Sequence, residues 1–94
     1  AGGNRREDRK AQAQARQRLA EQAKPLKTEL KKVDERLAQA AAEQATLTES
    51  LGQAGLSSAD RAEQGKRLKA LGDEIEALES RWLELTEALD QLEG

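Results

Sequence analysis

Eight residues constrain this chain more than anything else in it: Leu68, Leu71, Ile75, Leu78, Trp82, Leu85, Leu89 and Leu92, spaced alternately three and four apart. That rhythm averages 3.5 residues and places every member on one stripe of an α-helix, the seam of a coiled coil. An apolar stripe in water has to be covered. The cover is found upstream, where Leu26, Leu30, Val33, Leu37, Ala40, Gln44, Leu47 and Leu51 follow the same rhythm with Gln44 as the one polar place. Between the seams lies the stretch Gly52 to Asp60, whose two glycines can end one helix and whose Ser57, Ser58 or Asp60 can cap the next. Asp60 followed by Glu63 has capping-box spacing.

A connection this short folds two amphipathic helices back on each other, because each needs the other's stripe. With the turn centred near Ala54 and Gly55, facing residues sum to about 111 in number. Leu51 then lies by Asp60, Leu37 by Ile75 and Leu30 near Trp82, and the indole is expected to be buried against Leu26 and Leu30. The chain is therefore read as all-α: an antiparallel two-helix coiled-coil hairpin with a basic N-terminal helical extension. Residues 1–24 form the basic linker or extension and 25–94 the hairpin, with a helix over 25–51, a turn over 52–59 and a helix over 60–92. Both seams are satisfied within one chain, so a monomer is expected.

The same arithmetic exposes a mismatch, since Leu92 needs partners near Leu19 and Ala23, upstream of Pro25. Either Pro25 opens the main helix after a break, or it kinks one longer helix that begins near Arg5. Residues 5–18 offer alanines but no bulky seam and are expected to be only marginally helical. Ala1-Gly2-Gly3 reads as a flexible start.

Composition narrows the function classes. Of 94 residues 36% are charged and one, Trp82, is aromatic, too little bulky material to fill a globular interior. Neither Cys nor His is present, which removes disulfides, thiolate metal sites and the commonest general base and metal ligand together. Gly65-Lys66 lacks the glycine and the Ser or Thr of a phosphate-binding loop, since Asp60 and Arg67 stand in those places. Asp73, Glu74, Glu76 and Glu79 form a solvated acidic face with no turn to arrange them around a cation. No catalytic residues, metal site or cofactor are assigned. No apolar stretch approaches the length of a bilayer span, and a cytoplasmic protein without membrane contact is expected.

Charge is unevenly spread. Residues 1–24 hold seven basic side chains against three acids, a net +4, whereas residues 70–94 hold eight acids against Arg81 alone, a net −7.

Three details go beyond a generic hairpin: Lys24-Pro25-Leu26-Lys27 with Glu29 at the start of the first seam, the glycine-containing turn, and Glu79-Ser80-Arg81-Trp82-Leu83-Glu84-Leu85 near the end of the second. Together, over about residues 5–92, they resemble the C-terminal domain of the ABC-F family of soluble ATPases. That family has two ATP-binding cassettes in one chain, followed in many members by a charged linker and a coiled-coil hairpin. Its members look like ribosome-associated translation factors, and the hairpin of some has been assigned nucleic-acid binding. Neither cassette is present in this sequence, so no ATP-binding residue carries over. The turn has Leu56-Ser57 where many relatives have an aromatic residue.

The resemblance implies a non-catalytic accessory domain that binds nucleic acid, DNA or ribosomal RNA, with the ribosome as the expected partner. Arg5, Arg6, Arg9, Lys10, Arg16 and Arg18 supply the charge density that phosphate neutralisation needs, and Lys24, Lys27 and Lys31 line one helical face. No aromatic is interleaved with them in sequence, so contact would be with backbone or shape rather than with bases. Two readings stay open for Lys24, Lys27, Lys31 and Lys32: phosphate contacts, or ion pairs with Glu79, Glu84 and Glu87 across the hairpin. Arg61, Lys66, Arg67 and Lys69 are either a solvated face near the turn or a tip that probes a groove. The alternative function is protein binding, by docking on the domain's own ATPase cassettes or by self-association.

Overall fold

In the computed structural model, residues 2–94 are described, with side chains from residue 5 onward. They form two helices, α1 over Gly2–Leu51 and α2 over Ser58–Glu93, packed as an antiparallel hairpin measuring 83 × 15 × 15 Å. The all-α hairpin expected from the two seams is what forms.

α1 does not begin at Pro25. It is one helix of 50 residues with Pro25 inside it. The proline removes one backbone donor, and its ring crowds the carbonyl four residues back. Two features let the helix continue. Pro25 is exposed, on the side away from α2, so the Glu21 carbonyl that its missing N–H leaves free faces water. Packing on both sides of Pro25, at Ala23 and Val33, holds the two halves in one line.

The turn is built by the expected glycines and by one of the three expected caps, Ser57, without the Asp60–Glu63 capping box. Gly52 N–H donates to the Thr48 and Glu49 carbonyls and Gln53 N–H to the Ser50 carbonyl, closing α1. Gly55 has φ of +92°, a conformation that glycine adopts without the Cβ penalty of other residues. The cap of α2 is Ser57, whose hydroxyl accepts from Asp60 N–H at 3.0 Å. Asp60 is thus not the cap but the first-turn acid three places inside it, where its charge suits the positive end of the helix dipole.

The register agrees closely with the expected one. Arg36–Glu74, Arg67–Glu43 and Arg81–Glu29 pair across the hairpin, each summing to 110. Ala23, Val33, Ala40, Leu71, Leu85 and Leu89 form the buried core, Leu71 and Leu85 completely covered. Gln64 extends the second seam one step toward the turn, level with Gln44, and its Oε1 is buried without a hydrogen-bond partner.

Trp82 is a correction. It lies in the seam, but 40% of it is exposed. A single pair of helices makes one layer of side chains, and an indole is too large for one facing helix to cover without a third element beside it.

Candidate nucleic-acid interface

With the heptad lettered a to g, Leu26 is at d on α1 and Trp82 at a on α2. In an antiparallel pair the g positions of the two helices meet along one edge and the e positions along the other. The g edge is stapled. Arg36 Nε and Nη2 donate to the two Glu74 carboxylate oxygens at 2.5 and 2.6 Å. Arg67 does the same to Glu43 at 2.8 and 3.0 Å, and Arg81 to Glu29 at 2.6 and 3.0 Å, with a further bond to Glu84 at 2.9 Å. These guanidinium bonds hold the Glu43 and Glu74 carboxyls below their ordinary range, and the carboxylates hold Arg36, Arg67 and Arg81 above theirs.

The e edge is open. On α1 the g residues Glu29, Arg36 and Glu43 are half-buried, whereas the e residues Ala20, Lys27, Asp34 and Ala41 are exposed. One ion pair crosses this edge among the described residues, Lys27 to Glu93 at 3.2 Å.

All nine candidate residues, Arg5, Arg6, Arg9, Lys10, Arg16, Arg18, Lys24, Lys27 and Lys31, are exposed on α1. Lys27 meets Glu93 rather than Glu79, Glu84 or Glu87. No ion pair forms among the described residues for the other eight, or for Lys32. At the tip, Arg67 is held by Glu43, which leaves Arg61, Lys66 and Lys69 exposed.

Continuous α1 reveals a pattern that apolar spacing alone misses. The heptad runs unbroken upstream of Leu26 through Ala23, Leu19, Arg16, Gln12, Arg9 and Arg5. The g-edge pairs put Glu93 level with residue 17, and its own contacts with Lys27 and the Leu19–Ala23 stretch place it further along α1, so α1 projects at least about 15 residues, roughly 22 Å, beyond the end of α2. In this projection three of the four seam places are arginine. At the step where α2 stops, Leu19 is 43% exposed, and a shallow apolar cup forms from Leu19, Ala20, Ala23 and Leu92 between Arg16, Lys27 and Glu93.

The candidates do not share one face. Arg6, Arg9, Lys10, Arg16, Lys24, Lys27 and Lys31 occupy positions a, b and e, toward the open edge; Arg5 is at d, and Arg18 is turned away at c, beside Gln14, Gln17 and Glu21. Among the described residues no helix is long and apolar enough to cross a membrane, and no group of three or more acidic side chains is placed to hold a metal ion.

The family model described as ABC transporter C-terminal domain matches residues 22–87, both seams and the turn between them. The chain belongs to that family. No curated protein and no solved structure matches it. As a C-terminal domain of an ABC transporter-related protein it is an accessory, non-catalytic module, and its matched span includes Lys24, Lys27 and Lys31 but not the arginines of the projection.

Proposed function

We propose that this domain serves a soluble, cytoplasmic, ribosome-associated ATPase of the ABC-F type, and that it binds the backbone of nucleic acid, DNA or ribosomal RNA, as a single copy. The observation that carries this reading is the projection of α1 beyond α2. It holds Arg5, Arg6, Arg9, Lys10 and Arg16 along one extended helix, with Arg18 at its base on another face, all exposed and without ion pairs among the described residues. Helical order matters here, because a folded rod presents its charges without losing chain entropy when it binds. The acids of α2 end at Glu93, which is paired with Lys27, and so leave the projection clear of their repulsion.

Such contacts release counterions, so affinity falls steeply as salt rises. The test is a salt titration of oligonucleotide binding by the domain and by a variant with all six residues changed to Gln. The domain should bind with Kd of order 10⁻⁴ to 10⁻⁶ M at physiological salt. The variant should bind more weakly with a flatter salt slope, while the hairpin keeps its helicity. Equal affinity and equal slope for the two proteins would discard the assignment.

A further inference from the structure

The open edge of the hairpin brings together what the sequence keeps apart. Position a lies beside position e on the helical wheel, so Trp82 faces the open edge rather than the stapled one. Across that edge, positions e and b of α1 from Arg6 to Lys31 carry Arg6, Lys10, Lys24, Lys27 and Lys31, with only alanine or glutamine between them and no acid. The basic array runs about 38 Å along the rod. On the α2 side Trp82, 40% exposed, and Leu83, 53% exposed, form an apolar island between Glu79 and Asp90.

We infer that the open edge is a single-strand site, in which phosphates follow the basic positions of α1 and an unpaired base stacks on Trp82. The inference rests on the nucleic-acid reading above and adds to it the ligand class and the residue that reads a base. Charge complementarity selects the occupant. A linear row of cations beside an exposed indole suits a chain with phosphates on one side and flat bases on the other. The acids of α2 select against a duplex, whose second phosphate strand would lie over Glu79, Asp90 and Glu93. They leave a neutral base free to occupy the α2 side while its phosphate stays over α1.

Trp82 is the only aromatic residue, so its fluorescence reports this site alone. The probes are an oligothymidylate single strand, a duplex of equal length and inorganic polyphosphate, with binding followed separately by anisotropy of labelled oligonucleotide or by sedimentation. The single strand should quench Trp82 in step with binding, and polyphosphate should bind without quenching. Trp82→Leu, which keeps the seam apolar, should weaken the single strand about tenfold and leave polyphosphate unchanged. Trp82→Phe should recover part of the loss, and the quenching arm needs no variant at all.

Binding of the single strand without quenching, together with unchanged affinity in Trp82→Leu, would overturn stacking while leaving the basic array of α1 intact. Failure of all three polyanions to bind would overturn both readings. Sedimentation as a dimer that Trp82→Leu dissociates, with fluorescence indifferent to oligothymidylate, would assign the edge to a second copy and also overturn the inference.

Discussion

Leu83 and Leu85 are the same residue type two places apart on α2, yet one is 53% exposed and the other 1%. Their alanine variants therefore test which face of α2 is the core. Leu85→Ala removes three buried carbon groups, worth about 0.8 kcal/mol each, or roughly 2.4 kcal/mol in transfer terms. In a rigid core the cavity left behind would add to that. Here Leu85 sits in a single layer between two helices that can close on the gap, so a total of about 2–3 kcal/mol is expected. Leu83→Ala loses little burial and gains helix propensity, so its change should stay within about 0.5 kcal/mol. Urea unfolding followed by helical circular dichroism measures both, with equal m-values required for the comparison. In thermal terms Leu85→Ala should lower the midpoint by about 10 °C or more. Equal losses, or a larger loss at Leu83, would refute the seam phase and with it the assignment of the open and stapled edges.

Gly55→Ala should destabilise by about 1–2 kcal/mol, since a Cβ is disfavoured at its positive φ; a neutral result in urea unfolding would mean that the turn rearranges. Ser57→Ala should cost about 1 kcal/mol through loss of the bond to Asp60 N–H, and no measurable loss would show that another residue caps α2. Pro25→Ala should raise the thermal midpoint, by an amount equivalent to as much as about 3 kcal/mol, because Pro25 stands inside a continuous exposed helix; a lowered midpoint would mean that the proline ring itself stabilises the helix there. Glu43 and Glu74 are held below the ordinary carboxylate range, so their contribution is complete above the unfolded value of about 4.3 and is lost as pH falls through their lower folded values. The midpoint should therefore be level from neutral pH to about 5 and fall below about 4. A Glu43→Gln, Glu74→Gln variant should begin lower and lose less on acidification, and an undiminished acid loss would place the sensitivity elsewhere.

The hairpin and its register were legible because heptad spacing is a geometric statement: two seams of equal period separated by a short turn have one simple way to cover each other. The facing-number sum came out one away from that of the three ion pairs on the stapled edge. What spacing cannot supply is lateral extent. It placed Trp82 on the seam but said nothing of whether one facing helix is wide enough to cover an indole. Charge counting failed in a related way. It set Lys24, Lys31 and Lys32 opposite Glu79, Glu84 and Glu87 by level, whereas pairing depends on which edge each side chain occupies. Glu84 is instead engaged by Arg81 of its own helix. The upstream seam was hidden because a search for apolar residues stops at Leu19, although the phase continues through Arg16, Arg9 and Arg5. At Pro25, local propensity argued for a boundary and was overridden by packing on both sides. The cap went to Ser57 rather than Asp60 because a hydroxyl three residues ahead reaches Asp60 N–H, leaving Asp60 inside the first turn.

The stapled edge gives the rod a mechanical character. Three arginine–carboxylate pairs bind about 21 Å of one side of the hairpin like the spine of a book, while the facing side carries the small residues Ala41 and Gly72 and one exposed pair at its end. Separation of the two helices is therefore easiest as a page-turning rotation about the bound side. Whatever wedges into the loose side can spread α1 from α2 without breaking a single guanidinium contact, and because α1 is continuous through Pro25, that rotation would carry the arginine projection with it.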